Sequence, residues 1–210
     1  MNEFMEANRS LAAELAKLKV VPVLVLESVE EGLKIGRILM DNGLPGAEVT
    51  FRTPAAADAI RAMSEAYPDM IVGAGTVLDE KSLGAAAAAG ARFAVAPGFN
   101  PKVVAAARER GMAFAPGVAT PSELEAAYEA GCQFLKFFPA EQLGGIKMLK
   151  SMAAPYLHLG IKFMPTGGVT RENAAEYLAF KAVAAVGGTW LAKAPDVALA
   201  VREAAKLQEA

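Results

Sequence analysis

The sequence predicts an α/β fold, a single (β/α)8 TIM barrel with an N-terminal helix, and three observations carry that reading. Short apolar runs alternate with helix-patterned segments along all 210 residues. The turn signals between them are brief, which favours parallel strands joined through helices. Eight such units, with no linker, low-complexity tract or composition shift, close naturally into one barrel of this length. Residues 1–210 therefore read as one domain. An open doubly wound sheet is the alternative, but Leu26-Glu27-Ser28 stands where its glycine fingerprint would follow the first strand.

Residues 1–19 hold the leading helix, which starts at Asn2 and packs on the barrel. Phe4, Leu11, Leu15 and Leu18 share one face, against Glu6, Arg9, Glu14 and Lys17. Residues 20–26 form a nearly continuous apolar strand. Ser28 with Glu31 makes a capping box for a helix to about Met40, stopped by Asn42-Gly43. A strand over 47–51 leads to a helix over 55–65. A strand over 70–72 runs into a turn at Gly73-Ala74-Gly75-Thr76, then a helix over 80–89. Strands over 92–96 and 112–115 each end in Pro-Gly. Their helices cover 101–110 and the stretch from Thr120, boxed with Glu123, to Gly131. The sixth strand begins at Gln133 and ends before Pro139, with a helix over 145–153. A strand over 162–164 precedes Pro165-Thr166-Gly167-Gly168 and a helix over 171–180. The last strand, 182–186, precedes Gly187-Gly188-Thr189 and a helix over 195–207.

Composition narrows the function. A net charge of −2 with mixed signs offers no basic footprint for nucleic acid. No apolar run reaches the roughly 18 residues of a membrane span, and charged residues near the start argue against a signal peptide. One cysteine fits a reducing, cytoplasmic setting. One histidine leaves no His-cluster metal site.

The chemistry centres on Lys136, a lone cation in the apolar strand Gln133-Phe134-Leu135-Lys136-Phe137-Phe138. Burial favours its neutral amine, a nucleophile able to form a Schiff base with a carbonyl. The ordinary readings are a carboxylate partner or a buried stem with its head in water. Period two puts Lys136 on the face opposite Leu135 and Phe137, hence inward. The same alternation points Glu48, Thr50 and Arg52 inward from Ala47, Val49 and Phe51. They offer a proton shuttle, a hydrogen bond and a carboxylate fork. The glycine turns at 166–168 and 187–189 follow the last two strands, where barrels often bind phosphate. Lys162 starts its strand and Cys132 and His158 lie towards the same end, so all three read as structural.

In order along the chain, Pro22, Glu48-Val49-Thr50-Phe51-Arg52-Thr53, Gly73-Ala74-Gly75-Thr76-Val77, Lys136-Phe137-Phe138-Pro139-Ala140-Glu141, Pro165-Thr166-Gly167-Gly168 and Gly187-Gly188-Thr189-Trp190-Leu191 resemble the class I aldolases of 2-keto-3-deoxy-6-phosphogluconate (KDPG) and 4-hydroxy-2-oxoglutarate (KHG). The resemblance covers nearly everything from Val20 onward. It implies Lys136 as the Schiff-base lysine and Glu48 as general acid/base. Arg52 and Thr76 would lie near the pyruvate carboxylate, and Pro97 and Phe138 around the imine. Thr166, Gly167, Gly168, Gly188 and Thr189 would hold the substrate's hydroxyls and phosphate. It further implies a homotrimer acting on a small 2-keto acid, with no cofactor and no metal. The expected reaction is KDPG cleavage to pyruvate and glyceraldehyde 3-phosphate, with KHG cleavage to pyruvate and glyoxylate as the alternative. A phosphosugar isomerase would leave Lys136 without a role. An assembly-forming barrel with a disused site is the non-enzymatic alternative.

Overall fold

The computed structural model describes residues 3–209. Helix α1 is Glu3–Leu18, so the expected start at Asn2 lies outside the described residues. Its buried face holds Phe4, Leu11, Leu15 and Leu18, as the periodicity requires, together with Asn8 and Ala12. The helix packs on three strands, β1 (Val20–Leu24), β5 (Ala113–Ala115) and β7 (Phe134–Phe137).

The remaining strands are β2 (Gly46–Thr50), β3 (Ile71–Gly75), β4 (Phe93–Val95), β6 (Gly117–Val118), β8 (Lys162–Pro165) and β9 (Val186–Gly188). Apart from Lys162, every strand residue is buried. That is the signature of parallel strands covered on both faces. The connecting helices are α2 (Val29–Asp41), α3 (Ala56–Ala66), α4 (Glu80–Ala88), α5 (Pro101–Glu109), α6 (Pro121–Glu129), α7 (Gly145–Ala153), α8 (Arg171–Leu178) and α9 (Val197–Ala205). Ser28 accepts from the Glu31 backbone at the start of α2, and Thr120 and Glu123 cap α6 reciprocally.

All pairings are parallel. One sheet runs β5-β4-β3-β2-β1-β9 and the other β6-β7-β8. The hydrogen bonds thus define a curled parallel sheet in two parts, not one uninterrupted eight-stranded ring. The fifth expected strand, 112–115, is β5, and past Pro116, which has no N–H to donate to a ladder, the chain resumes pairing as β6 in the other sheet. Between β8 and β9 the links are the bridges Phe163↔Val183 and Thr166↔Gly187.

Two other boundaries differ from expectation. Gly73 and Gly75 belong to β3 and not to a turn. A Cβ on Gly73 would lie 2.2 Å from the Phe93 ring, so the missing side chain makes room for a neighbour. The last strand begins at Val186, because Val183 is held by a single bridge. A short 3-10 helix, Ala154–Leu159, follows α7 and carries the exposed His158. Cys132 is fully buried, and desolvation pushes its thiol up to about 12, so it is inert packing.

Candidate active site

Glu48 on β2 and Lys136 on β7 belong to different sheets, 88 residues apart in sequence, yet their side chains meet. The Lys136 Nζ donates to Glu48 Oε1 at 3.0 Å and Oε2 at 3.1 Å. Side chains that bond across two sheets must point into the space between them, which agrees with the inward parity of both strands. The side chains are 6% and 1% exposed; every other ion pair among the described residues has an exposed partner. A buried ion pair costs desolvation of two charges and is a poor stabilising device against an apolar pair of equal size. Its presence here is a mark of chemistry. Lys136 therefore has the carboxylate partner of the ordinary reading, and that partner is the group expected to move protons.

The surroundings hold this pair in place. A Cβ on Gly75 would lie 2.1 Å from Glu48 Oε1, so the carboxylate occupies room that only glycine leaves. The Thr50 hydroxyl donates to the Leu24 carbonyl at 3.0 Å, tying β2 to β1. The Phe138 ring centroid lies 5.7 Å from Lys136 Nζ, where the ring face attracts a cation. Thr76, just past β3, has a φ of +57°, an uncommon conformation for a β-branched residue. Such strain concentrates at functional sites.

On the far side, Gly167 and Gly168 follow β8 with φ of +96° and +78° and lead into α8. The backbone of Ala140 donates to the Thr166 carbonyl at 2.8 Å, and that of Glu141 to the Gly167 carbonyl at 3.0 Å. The Glu141 carboxylate accepts from the Tyr177 hydroxyl. Burial and then that carboxylate push the Tyr177 hydroxyl well above its ordinary range, so it remains a donor. The glycine turn is thereby clamped from the β7 side and from α8.

These groups line one cavity of about 500 Å³ beyond the carboxyl ends of the strands. It brings together all the residues singled out from the sequence: Lys136, Glu48, Arg52, Thr76, Pro97, Phe138, Thr166, Gly167, Gly168, Gly188 and Thr189. It also contains residues that sequence reasoning missed, chiefly Val169, Thr170, Trp190 and Lys193. Lys193 is the consequential one. Its backbone N–H donates to the Thr189 carbonyl at 3.3 Å, a helical i to i−4 step, and it makes no ion pair among the described residues. Counting one helical turn on from Thr189 would have found it. Glu27 does not line the cavity; its backbone N–H is bound by the Glu31 carboxylate at 2.9 Å.

Parallel strands that present a buried lysine and carboxylate at their carboxyl ends, beside two glycine turns, define an enzyme cavity of the α/β class. The chain belongs to the aldolase family described as KDPG and KHG aldolase, whose sequence pattern matches residues 11–205. It is 45% identical over 184 residues to the 2-dehydro-3-deoxy-phosphogluconate aldolase of Treponema pallidum, covering 88% of this chain and 87% of that one. Among solved structures, it resembles the Zymomonas mobilis KDPG aldolase with 3-phosphoglycerate at a TM-score of 0.86 and 39% identity, over 93% of this chain and 95% of that one. The Legionella pneumophila KDPG aldolase, with pyruvate captured as a covalent carbinolamine, superimposes at a TM-score of 0.83 and 36% identity, over 94% of this chain and 95% of that one.

Proposed function

We propose that this chain is a class I aldolase that cleaves KDPG to pyruvate and glyceraldehyde 3-phosphate. The observation that carries the reading is the hydrogen bond from Lys136 Nζ to both oxygens of Glu48 inside the cavity. Glu48 accepts a proton from the ammonium, and the freed amine attacks the C2 carbonyl. Glu48 returns that proton to the carbinolamine hydroxyl, which leaves as water, and the carboxylate is restored beside the protonated imine, an electron sink. Glu48 then takes the C4 hydroxyl proton as the bond between C3 and C4 breaks and its electrons flow into the imine. The enamine is reprotonated at C3. Hydrolysis releases pyruvate and restores Lys136. The covalent carbinolamine captured with pyruvate in the Legionella relative supports this sequence of events.

Arg52 and Thr76 orient the substrate carboxylate, since misplacement by about 1 Å can cost on the order of a hundredfold. Pro97 and Phe138 wall the imine against water. Thr166, Gly167, Gly168, Gly188 and Thr189 take the hydroxyls and phosphate, with Lys193 as the cation on that side. The phosphorylated ligand named for the Zymomonas relative supports a phosphate subsite. The imine is itself the electron sink, so the reading includes no cofactor or metal. We further infer one closed (β/α)8 barrel, since Pro116 is the sole break between β5 and β6 and two bridges span β8 and β9, and a cytoplasmic homotrimer. A disused site would have no reason to keep so costly a buried pair.

The test is pyruvate release from KDPG, its unphosphorylated analogue and KHG. KDPG should have the highest kcat/KM. Equal values for KDPG and its plain analogue would remove the phosphate from the account, and a highest value for KHG would move the activity to the other branch of the family.

A further inference from the structure

A second cavity, of about 610 Å³, lies at the opposite end of the strands. It sits between α1 and the starts of β7 and β8. Lys162, at its edge, starts β8, and Thr166, in the candidate active cavity, directly follows that strand, four residues on and about 13 Å away at the rise of a strand. Four cations line it, Arg9, Lys19, Lys162 and Lys181, and among the described lining residues there is no carboxylate. A neighbouring concavity of about 490 Å³ shares Lys162 and Lys181 and adds Lys150. In a chain of net charge −2, this is a local concentration of positive charge.

Hydrogen bonds tie the lining together. Arg9 Nε donates to Gln133 Oε1 at 2.5 Å, the Lys162 backbone donates to the Gln133 carbonyl at 2.9 Å, and Lys162 Nζ donates to the Lys181 carbonyl at 2.8 Å. Gln133 is 5% exposed. Because arginine can only donate, its contact fixes the amide oxygen and turns the Nε2 donor elsewhere. That donor has no partner among the described residues, on a side chain that lines the cavity. Helix carbonyl ends also reach this face, and a cation at each would satisfy them. Lys162 instead bonds the Lys181 carbonyl, in the loop beyond α8. The same need does not account for Lys19 and Lys181 beside it, neither of which makes an ion pair among the described residues. Nor does it account for the Gln133 amide on the cavity wall.

We propose that this cavity binds a small polyanion, with phosphate or carboxylate groups held between Lys19, Lys162 and Lys181 and the Gln133 amide as a further donor. Several anionic groups are required because the cations come from three separate segments: the end of α1, the start of β8 and the loop before β9. Self-repulsion among the lysines is then relieved by the ligand. The site is distinct from the Lys136 cavity and does not depend on the reaction assigned there.

The test titrates the full chain with inorganic tripolyphosphate and, separately, with citrate, following heat at low and raised salt. Phosphate and carboxylate share these donors, so the relative affinities assign the source. The expected result is a saturable, salt-sensitive site that persists when the Lys136 cavity is first saturated with KDPG. Affinity should fall at least about tenfold in the Lys162→Gln, Lys181→Gln double variant, the scale of losing charge-assisted contacts. Both lysines are exposed, so the fold should persist, which an unchanged Tm checks, and Lys181→Arg should retain binding. Lys193→Gln should leave it unchanged. No saturable binding, equal affinity in the double variant, or loss on Lys193→Gln, which would place the anion in the other cavity, overturns the proposal.

Discussion

Glu48 has two tasks in one position, and its replacement separates them. In Glu48→Gln the amide can still occupy the space beside Gly75 but can neither deprotonate Lys136 nor shuttle the C4 proton. Turnover should fall by roughly 10²–10⁴, the range for positioned proton transfer, while the covalent pyruvate adduct still forms, more slowly. Steady-state kcat and the rate of adduct trapping measure the two effects. Lys193→Gln tests the other end of the cavity. It should lower kcat/KM for KDPG by about tenfold or more and leave the unphosphorylated analogue unaffected, as expected of a charge-assisted contact to phosphate alone. Lys193→Arg should rescue it. Gly188→Val is a poorer probe, because a Cβ at Gly188 would lie 1.8 Å from the Trp190 ring. At this scale, alternation along a strand told which way Lys136 and Glu48 point. It could not tell that they touch, since partners across two sheets depend on the curl of the whole layer. Lys193 escaped for a different reason: the single helical turn that places it follows Thr189 directly, ahead of the segment read as the last helix.

Among the elements, β3 shows how local packing serves the site. Gly75→Ala adds a Cβ where Glu48 Oε1 now sits 2.1 Å away, so the carboxylate must leave Lys136 or the strand must shift. Overpacking of this kind costs about 1–3 kcal/mol. The expected outcome is a lowered Tm with a loss of kcat similar to that of Glu48→Gln, and a thermal melt with an assay reads both. A variant with wild-type kcat would show that Glu48 has slack the geometry does not suggest. Helix starts were the most legible elements, because a cap is a local contract: Thr120 and Glu123 form the full box, while Ser28 caps α2 and the Glu31 carboxylate takes the Glu27 N–H in place of the Ser28 N–H. Glycines were less so. Gly73-Ala74-Gly75 looks like a turn in sequence, but its glycines answer to Phe93 and Glu48, which arrive from other strands. The Pro-Gly after 112–115 was legible as an end to that strand, but the return of pairing beyond it as β6 was not.

For the molecule as a whole, alternation of strand and helix was enough to specify a parallel α/β layer with the chemistry at one end. The manner in which that layer curls was not, because it rests on isolated bridges such as Thr166↔Gly187 between backbone groups without sequence signature. The curl nevertheless matters most, since it carries β2 and β7 to opposite sides of one cavity and lets Glu48 reach Lys136. The central claim is that this enclosed lysine forms an imine. Incubating the full chain with pyruvate and borohydride, then locating the modified peptide by mass spectrometry, tests it most directly. The account predicts a single reduced pyruvate adduct on Lys136 that vanishes in Lys136→Ala. An adduct on Lys162 instead, or none on a folded chain, would contradict it.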